Sequence, residues 1–100
     1  MITRKIGTNR GKNRIWLEGA VLTDNGIYHG MRFNVISAPN SLVIAIAHDG
    51  KRKIAGKPGR PIIDMSAGTI DACEFVSRVV RVDRMKASAG LGLVLTGLPA

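Results

Sequence analysis

Cysteine, aromatic side chains and acids are all scarce in this sequence, and each shortage excludes something. A lone cysteine, Cys73, leaves no partner for an intrachain disulfide and no cysteine-based metal cluster. It fits a reducing compartment, and its neighbours Ile70, Ala72 and Phe75 read it as a small buried hydrophobe. Aromatic residues make up 4% of the chain, so a core has to rest on Ile, Val and Leu, with contributions from Trp16, Phe33 and Phe75.

Long apolar runs are missing too. The longest, Leu42 to Ala47, is far short of the roughly 20 residues of a membrane-spanning helix. Met1 to Arg14 starts basic with no apolar segment behind it, unlike a secretory signal. The expectation is a soluble, cytoplasmic protein with no membrane partner. No phosphate-binding Walker loop, nucleophile elbow or metalloprotease motif occurs. His29, His48 and Cys73 are too few and too scattered for a zinc site. An enzyme is not expected, and neither is a cofactor or metal.

What the chain does have is positive charge. There are 15 Lys and Arg against 7 Asp and Glu in 100 residues, a formal charge of +8 and a pI of about 10.6. One domain of this length and balance favours a polyanionic partner. The charge is written into a pattern that occurs twice. Arg4 to Gly19 reads RKIGTNRGKNRIWLEG, and from Arg52 the chain reads RKIAGKPGRPIID. Each has an Arg-Lys-Ile opening, a Gly-rich basic spacer and an apolar triplet closed by an acid. A shift of 46 sets Arg14 on Arg60, Leu17 on Ile63, Glu18 on Asp64, Thr23 on Thr69 and Arg32 on Arg78.

Local patterns divide the chain accordingly. Residues 14–18 alternate around Ile15 and Leu17 as a strand, and LEGAVLTDNG offers one or two helical turns stopped at Gly26. After a turn at His29-Gly30, Met31, Phe33 and Val35 alternate with Arg32 and Asn34, and Ala38-Pro39-Asn40-Ser41 turns the chain back into Leu42 to Ile46. In the second half, Ile62-Ile63 is a short strand, Ser66 can cap a helix reaching about Cys73, Val79 to Val82 is a strand, and 86–90 is a polar turn before a last strand from Leu91. The expected organisation is one domain, with a first repeat over about 4–47, a basic linker over 48–60, and a degenerate second repeat over about 60–98. Neither unit can bury a core alone, so each needs the other.

RIWLEGAVLTDNGIYHGMRFNV in the first unit resembles the SpoVT-AbrB swapped-hairpin family. Arg14, Ile15, Leu17, Gly26, Ile27, Gly30, Arg32 and Val35 fall in the family's register without a gap. Within the family it is similar to SymE-like proteins and to small basic domains found before bacterial and phage DNA methyltransferases. The resemblance covers roughly 14–46. It implies a mainly β fold with short helices, an AbrB-like β-barrel of two interlocked repeats, here supplied by one chain. It also implies DNA binding. The family's short helix often carries basic residues that hold DNA, whereas Val21, Leu22 and Thr23 are uncharged here.

The basic residues are therefore expected to act from the segments that lead into each first strand: Arg4, Lys5, Arg10, Lys12, Asn13 and Arg14, then Lys51, Arg52, Lys53, Lys57 and Arg60. Glycines there let backbone approach phosphate, Arg offers a planar fork and Lys a mobile point charge. Asn9, Asn13 and Arg14 have the chemistry to reach base edges. Arg32 and Arg78, at the hairpin openings, extend the face, and Arg78 and Arg84 should point to one side of their strand with Arg81 on the other. Glu18 and Asp64 are expected to pair with Arg14, Arg60 or Arg32, or to cap the helices, rather than to act as catalytic acids. Trp16 lies either on the outer strand face or, as favoured here, in the core or an interface.

The function expected is transcriptional regulation or DNA targeting, on duplex DNA first, by a monomer or a homodimer. Two rivals share the composition: an inhibitor that docks on an acidic protein partner of a nucleic-acid machine, and a SymE-like toxin that acts on RNA.

Overall fold

The computed structural model describes residues 2–99. They form two antiparallel sheets with two short helices between strands. The order is β1 (Ile2–Lys5), β2 (Gly7–Asn9), β3 (Lys12–Glu18), α1 (Ala20–Thr23), β4 (Arg32–Ala38) and β5 (Ser41–Ile46). It continues with β6 (Arg52–Lys53), β7 (Ala55–Lys57), β8 (Arg60–Met65), α2 (Ala67–Asp71), β9 (Val79–Arg84), a 3₁₀ turn (Ala87–Ala89) and β10 (Gly92–Gly97). One sheet runs β1-β9-β10-β5-β4-β6 and the other β2-β3-β8-β7.

Both orders are symmetric about their centres. The first unit is β1 to β5 and the second β6 to β10, and every strand and α-helix has a counterpart. The leading strands are exchanged: β1 pairs with β9 of the second unit, and β6 with β4 of the first. The hairpin tips are exchanged as well. Asn40, between β4 and β5, accepts from the Val76 backbone N–H through Oδ1 (3.0 Å) and donates through Nδ2 to the Gly97 carbonyl (3.0 Å), while its own N–H donates to Cys73 O (2.6 Å). Reciprocally, Arg84 at the end of β9 donates from Nε to Asn25 Oδ1 (3.0 Å) and from Nη2 to the Asp24 carbonyl (2.9 Å). Each hairpin thus fastens to the loop behind the other unit's helix.

The recurring Arg-Lys-Ile has a structural reason. Ile6 and Ile54 are 6% and 1% exposed and sit where the chain leaves one sheet and enters the other, between β1 and β2 and between β6 and β7. The two polar residues ride an edge strand and the isoleucine pins the crossing into the core. Around those pins the core joins Ile15, Leu17, Leu22, Ile27, Leu42, Ile44, Ile63, Met65, Val80, Leu93 and Leu95, with Phe33 and Cys73. Phe75 packs against it from the edge.

Several expectations change. The sheets do not close into a barrel: hydrogen bonding breaks at the two crossings, which leaves β1, β6, β2 and β7 as open edges. Residues 48–60 are no unstructured linker, since they contain β6, β7 and the turn of the second unit's first hairpin. The units match at a shift of 48 rather than 46, because Ile6 corresponds to Ile54 and the turn Arg10-Gly11 to Pro58-Gly59. Arg14 then matches Ile62, Glu18 matches Ser66, and Trp16 matches Asp64. At the start of the second hairpin the shift falls to 47, which sets Arg78 against Met31 and not against Arg32. Ser66 holds the N-cap position of α2 with no side-chain capping bond. Among the described residues no helix is long and apolar enough to cross a membrane.

Candidate nucleic-acid interface

Period-2 alternation sorts the basic residues onto two faces. In the four-stranded sheet Ile15 and Leu17 of β3 and Ile63 and Met65 of β8 point into the core. The outer face is Lys12, Arg14, Trp16 and Glu18 of β3 with Arg60, Ile62 and Asp64 of β8. The flanking strands add Asn9 and Lys57, opposite Lys12 and Arg60, while Gly7 and Ala55 add almost no bulk.

Two tight turns carry the hairpins out from this sheet. Arg10 and Gly11 both have positive φ, 54° and 78°, which is the type I′ geometry that matches strand twist, and Arg10 bears an unusual left-handed backbone for a side chain of its size. Pro58 presets φ and Gly59 supplies the left-handed residue, φ 85°. The first tip therefore presents an arginine and the second a proline. Trp16 and Asp64 are directly paired in the middle, so the pseudo-twofold axis runs between them and the hairpins extend from opposite ends. Continuing the β3–β8 register puts Arg60 eight residues beyond Lys12, about 26 Å along the strands at about 3.3 Å per residue.

Ion pairs bridge the two central strands. Arg14 grips Asp64 with both arms, Nε to Oδ1 at 3.0 Å and Nη2 to Oδ2 at 3.3 Å, and lies 4.4 Å from the Trp16 ring centroid. Arg60 meets Glu18 Oε2 from Nη2 at 2.9 Å. These are the pairings expected of the two acids. Arg10, Lys12 and Lys57 have no side-chain partner among the described residues. Asn9, Arg10, Lys12 and Arg14 line an open cleft of about 490 Å³ whose far wall is Ser66-Ala67-Gly68.

Other expected residues lie elsewhere. Lys5 and Lys53 project on the outer side of the six-stranded sheet, beside Val79 and Arg32, and Lys51 sits at its edge with its N–H on Asn34 Oδ1. Arg4 and Arg52 point to the inner edge, where Arg52 Nη2 donates to Thr69 Oγ1 at 3.1 Å. Arg32 Nε is spent on the Gly50 carbonyl at 2.7 Å. Arg78 is a tie between units: it donates to Asn13 Oδ1 (2.6 Å) and to the carbonyls of Ile6 (2.7 Å) and Gly7 (3.3 Å). Asn13 also donates to Asp71 Oδ1 (2.8 Å), so its amide is committed to the fold and not to a base. Arg81 pairs with Asp83 on the outer side of its strand.

The expected single basic array is thus divided, because the buried isoleucines send Arg4-Lys5 and Arg52-Lys53 to one sheet and the hairpins to the other. Trp16, expected in the core or an interface, is not in the core: it is 39% exposed on the outer face. Among the described residues no group of three or more His, Cys, Asp or Glu comes together. Comparison with protein-family models, with curated proteins and with solved structures returned no match.

Proposed function

We propose that this chain is a non-enzymatic DNA-binding module of the SpoVT-AbrB swapped-hairpin type, two units in tandem, acting as a transcriptional regulator or as a DNA-targeting accessory. The outer face of the four-stranded sheet receives duplex DNA, and the two hairpin tips hold its phosphates. One observation carries this reading: two cation-bearing hairpins project from a single sheet face about a pseudo-twofold axis. A duplex backbone has matching local twofold symmetry, and dimeric DNA-binding proteins use their own twofold to meet it.

Lys12 and Arg60, just inside the two tips, are about 26 Å apart along the strands, less than one helical turn of about 34 Å. Both can reach phosphates of one short site. Exchange of leading strands and hairpin tips between the units supports the family reading, since it is the interlocking that a swapped hairpin requires. Phosphate contact positions the protein and leaves sequence choice to groove contacts.

The test is equilibrium binding to labelled duplex DNA from about 50 to 200 mM salt, where several phosphate contacts produce an affinity loss of orders of magnitude. A variant with Arg10, Lys12, Lys57 and Arg60 all changed to Ala should bind far more weakly with a flatter salt slope. Equal binding by that variant and the unmodified chain would rule the hairpin face out. Binding to an acidic protein surface with no affinity for duplex DNA would establish the rival inhibitor role.

A further inference from the structure

Trp16 is the sole tryptophan of the chain and stands on solvent at the centre of the hairpin face. Its surroundings are built, not incidental. Arg14 lies over the ring at 4.4 Å and is itself held by two hydrogen bonds to Asp64. Ile62, the diagonal neighbour on β8, gives an apolar flank. The outer strands carry Gly7 and Ala55 at the level of Arg14 and Ile62, so nothing tall walls off the indole.

We propose that Trp16, with Arg14 and Ile62 beside it, is a stacking platform for an unpaired base, so that the chain binds DNA containing an unstacked nucleotide in preference to a perfect duplex. This rests on the DNA-binding reading above and specifies its ligand. Three points on the face lead to it. A strand running between the two hairpin tips passes over the centre of the sheet, where Trp16 stands. Arg14 is neutralised by Asp64, so its guanidinium plane serves to orient the indole and not to hold a phosphate. Lastly, a perfect duplex buries its base faces in the stack and offers only edges to a protein, so an exposed indole finds a π partner only where a base has left the stack.

Because the chain has a single tryptophan, its intrinsic fluorescence reports on this platform alone. The experiment titrates the chain with a perfect duplex and with the same duplex carrying one bulged, unpaired nucleotide at its centre, and repeats both with Trp16→Ala and Trp16→Phe. The bulged duplex should quench the indole and bind roughly 5- to 150-fold more tightly than the perfect one, the range that stacking of one base supplies. That preference should vanish in Trp16→Ala and survive in part in Trp16→Phe, while salt-sensitive binding of perfect duplex persists in both. Salt-sensitive duplex binding with no quenching by the bulge, or an undiminished bulge preference in Trp16→Ala, would overturn the platform and leave the DNA-binding reading standing. Failure to bind either duplex would overturn both.

Discussion

The two first hairpins share a framework and differ in what they offer a ligand. Lys12 and Arg60 occupy matching positions, each one residue past its turn glycine. The residue facing Arg60 across the central strands is Glu18, whereas the matching position for Lys12 is Ser66. So, among the described residues, the first hairpin keeps two unpaired cations, Arg10 and Lys12, beside an open cleft, and the second keeps one, Lys57. The shared scaffold is pinned in both units by buried Ile6 and Ile54, while the exposed positions differ between them. The lesson is that a repeat should be matched on its turns and core pins rather than on its charges.

The largest effect should come from breaking the shared framework. Ile6→Ala and Ile54→Ala are both expected to cost about 2–4 kcal/mol by the usual cavity penalty, with Ile54 the worse because it is the more buried. Chemical denaturation measures this. Similar stability to the unmodified chain at either site would remove the crossing-pin account.

Next comes the reciprocal fastening. Asn40→Ala removes two side-chain hydrogen bonds to the second unit and leaves a left-handed backbone (φ 57°) on alanine, an expected loss of about 2–3 kcal/mol. Arg84→Ala breaks the opposite, more exposed fastening and should cost only about 1 kcal/mol. Thermal melts of the pair test the order, and Arg84→Ala as the more damaging change would reverse it.

Much of the scaffold was legible in the sequence for a physical reason. Ile15 and Leu17, Phe33 and Val35, Leu42 and Ile44, and Val80 and Val82 alternate because one side of each strand meets the core. The helix stop at Gly26 was legible too, since its φ of 74° suits glycine. What stayed hidden were β2 and β7, exposed at every residue and so without a periodic burial signal. Their trace was the paired turns, Arg10-Gly11 and Pro58-Gly59. Matching the copies on Arg14 with Arg60 and Glu18 with Asp64 instead aligned two cross-strand ion pairs, which lie close in space yet are not equivalent. Trp16 could have been placed from parity alone, since Ile15 and Leu17 already claimed the inner side.

Smaller effects sharpen the comparison between hairpins. Arg10→Ala with Lys12→Ala should lower the slope of log affinity against log salt by about 2, at about one per lost phosphate contact, and Lys57→Ala by about 1. Adding Arg60→Ala to Lys57→Ala should change little more, as Glu18 already neutralises that guanidinium. A second hairpin contributing as much as the first would deny the asymmetry. Smallest of all, Arg10→Gly should raise stability by up to about 1 kcal/mol by relieving the left-handed backbone, even as it weakens DNA binding.

The most direct test of the central claim is to follow backbone amide resonances of the intact chain during titration with duplex DNA. The account predicts perturbation at 9–14, at Trp16 and at 57–62, stronger in the first hairpin, with Ile36, Val43 and Val94 on the outer side of the six-stranded sheet unmoved. Perturbation centred on that sheet, around Arg32, Lys53 and Arg81, would contradict it and move the binding face to the opposite side of the molecule.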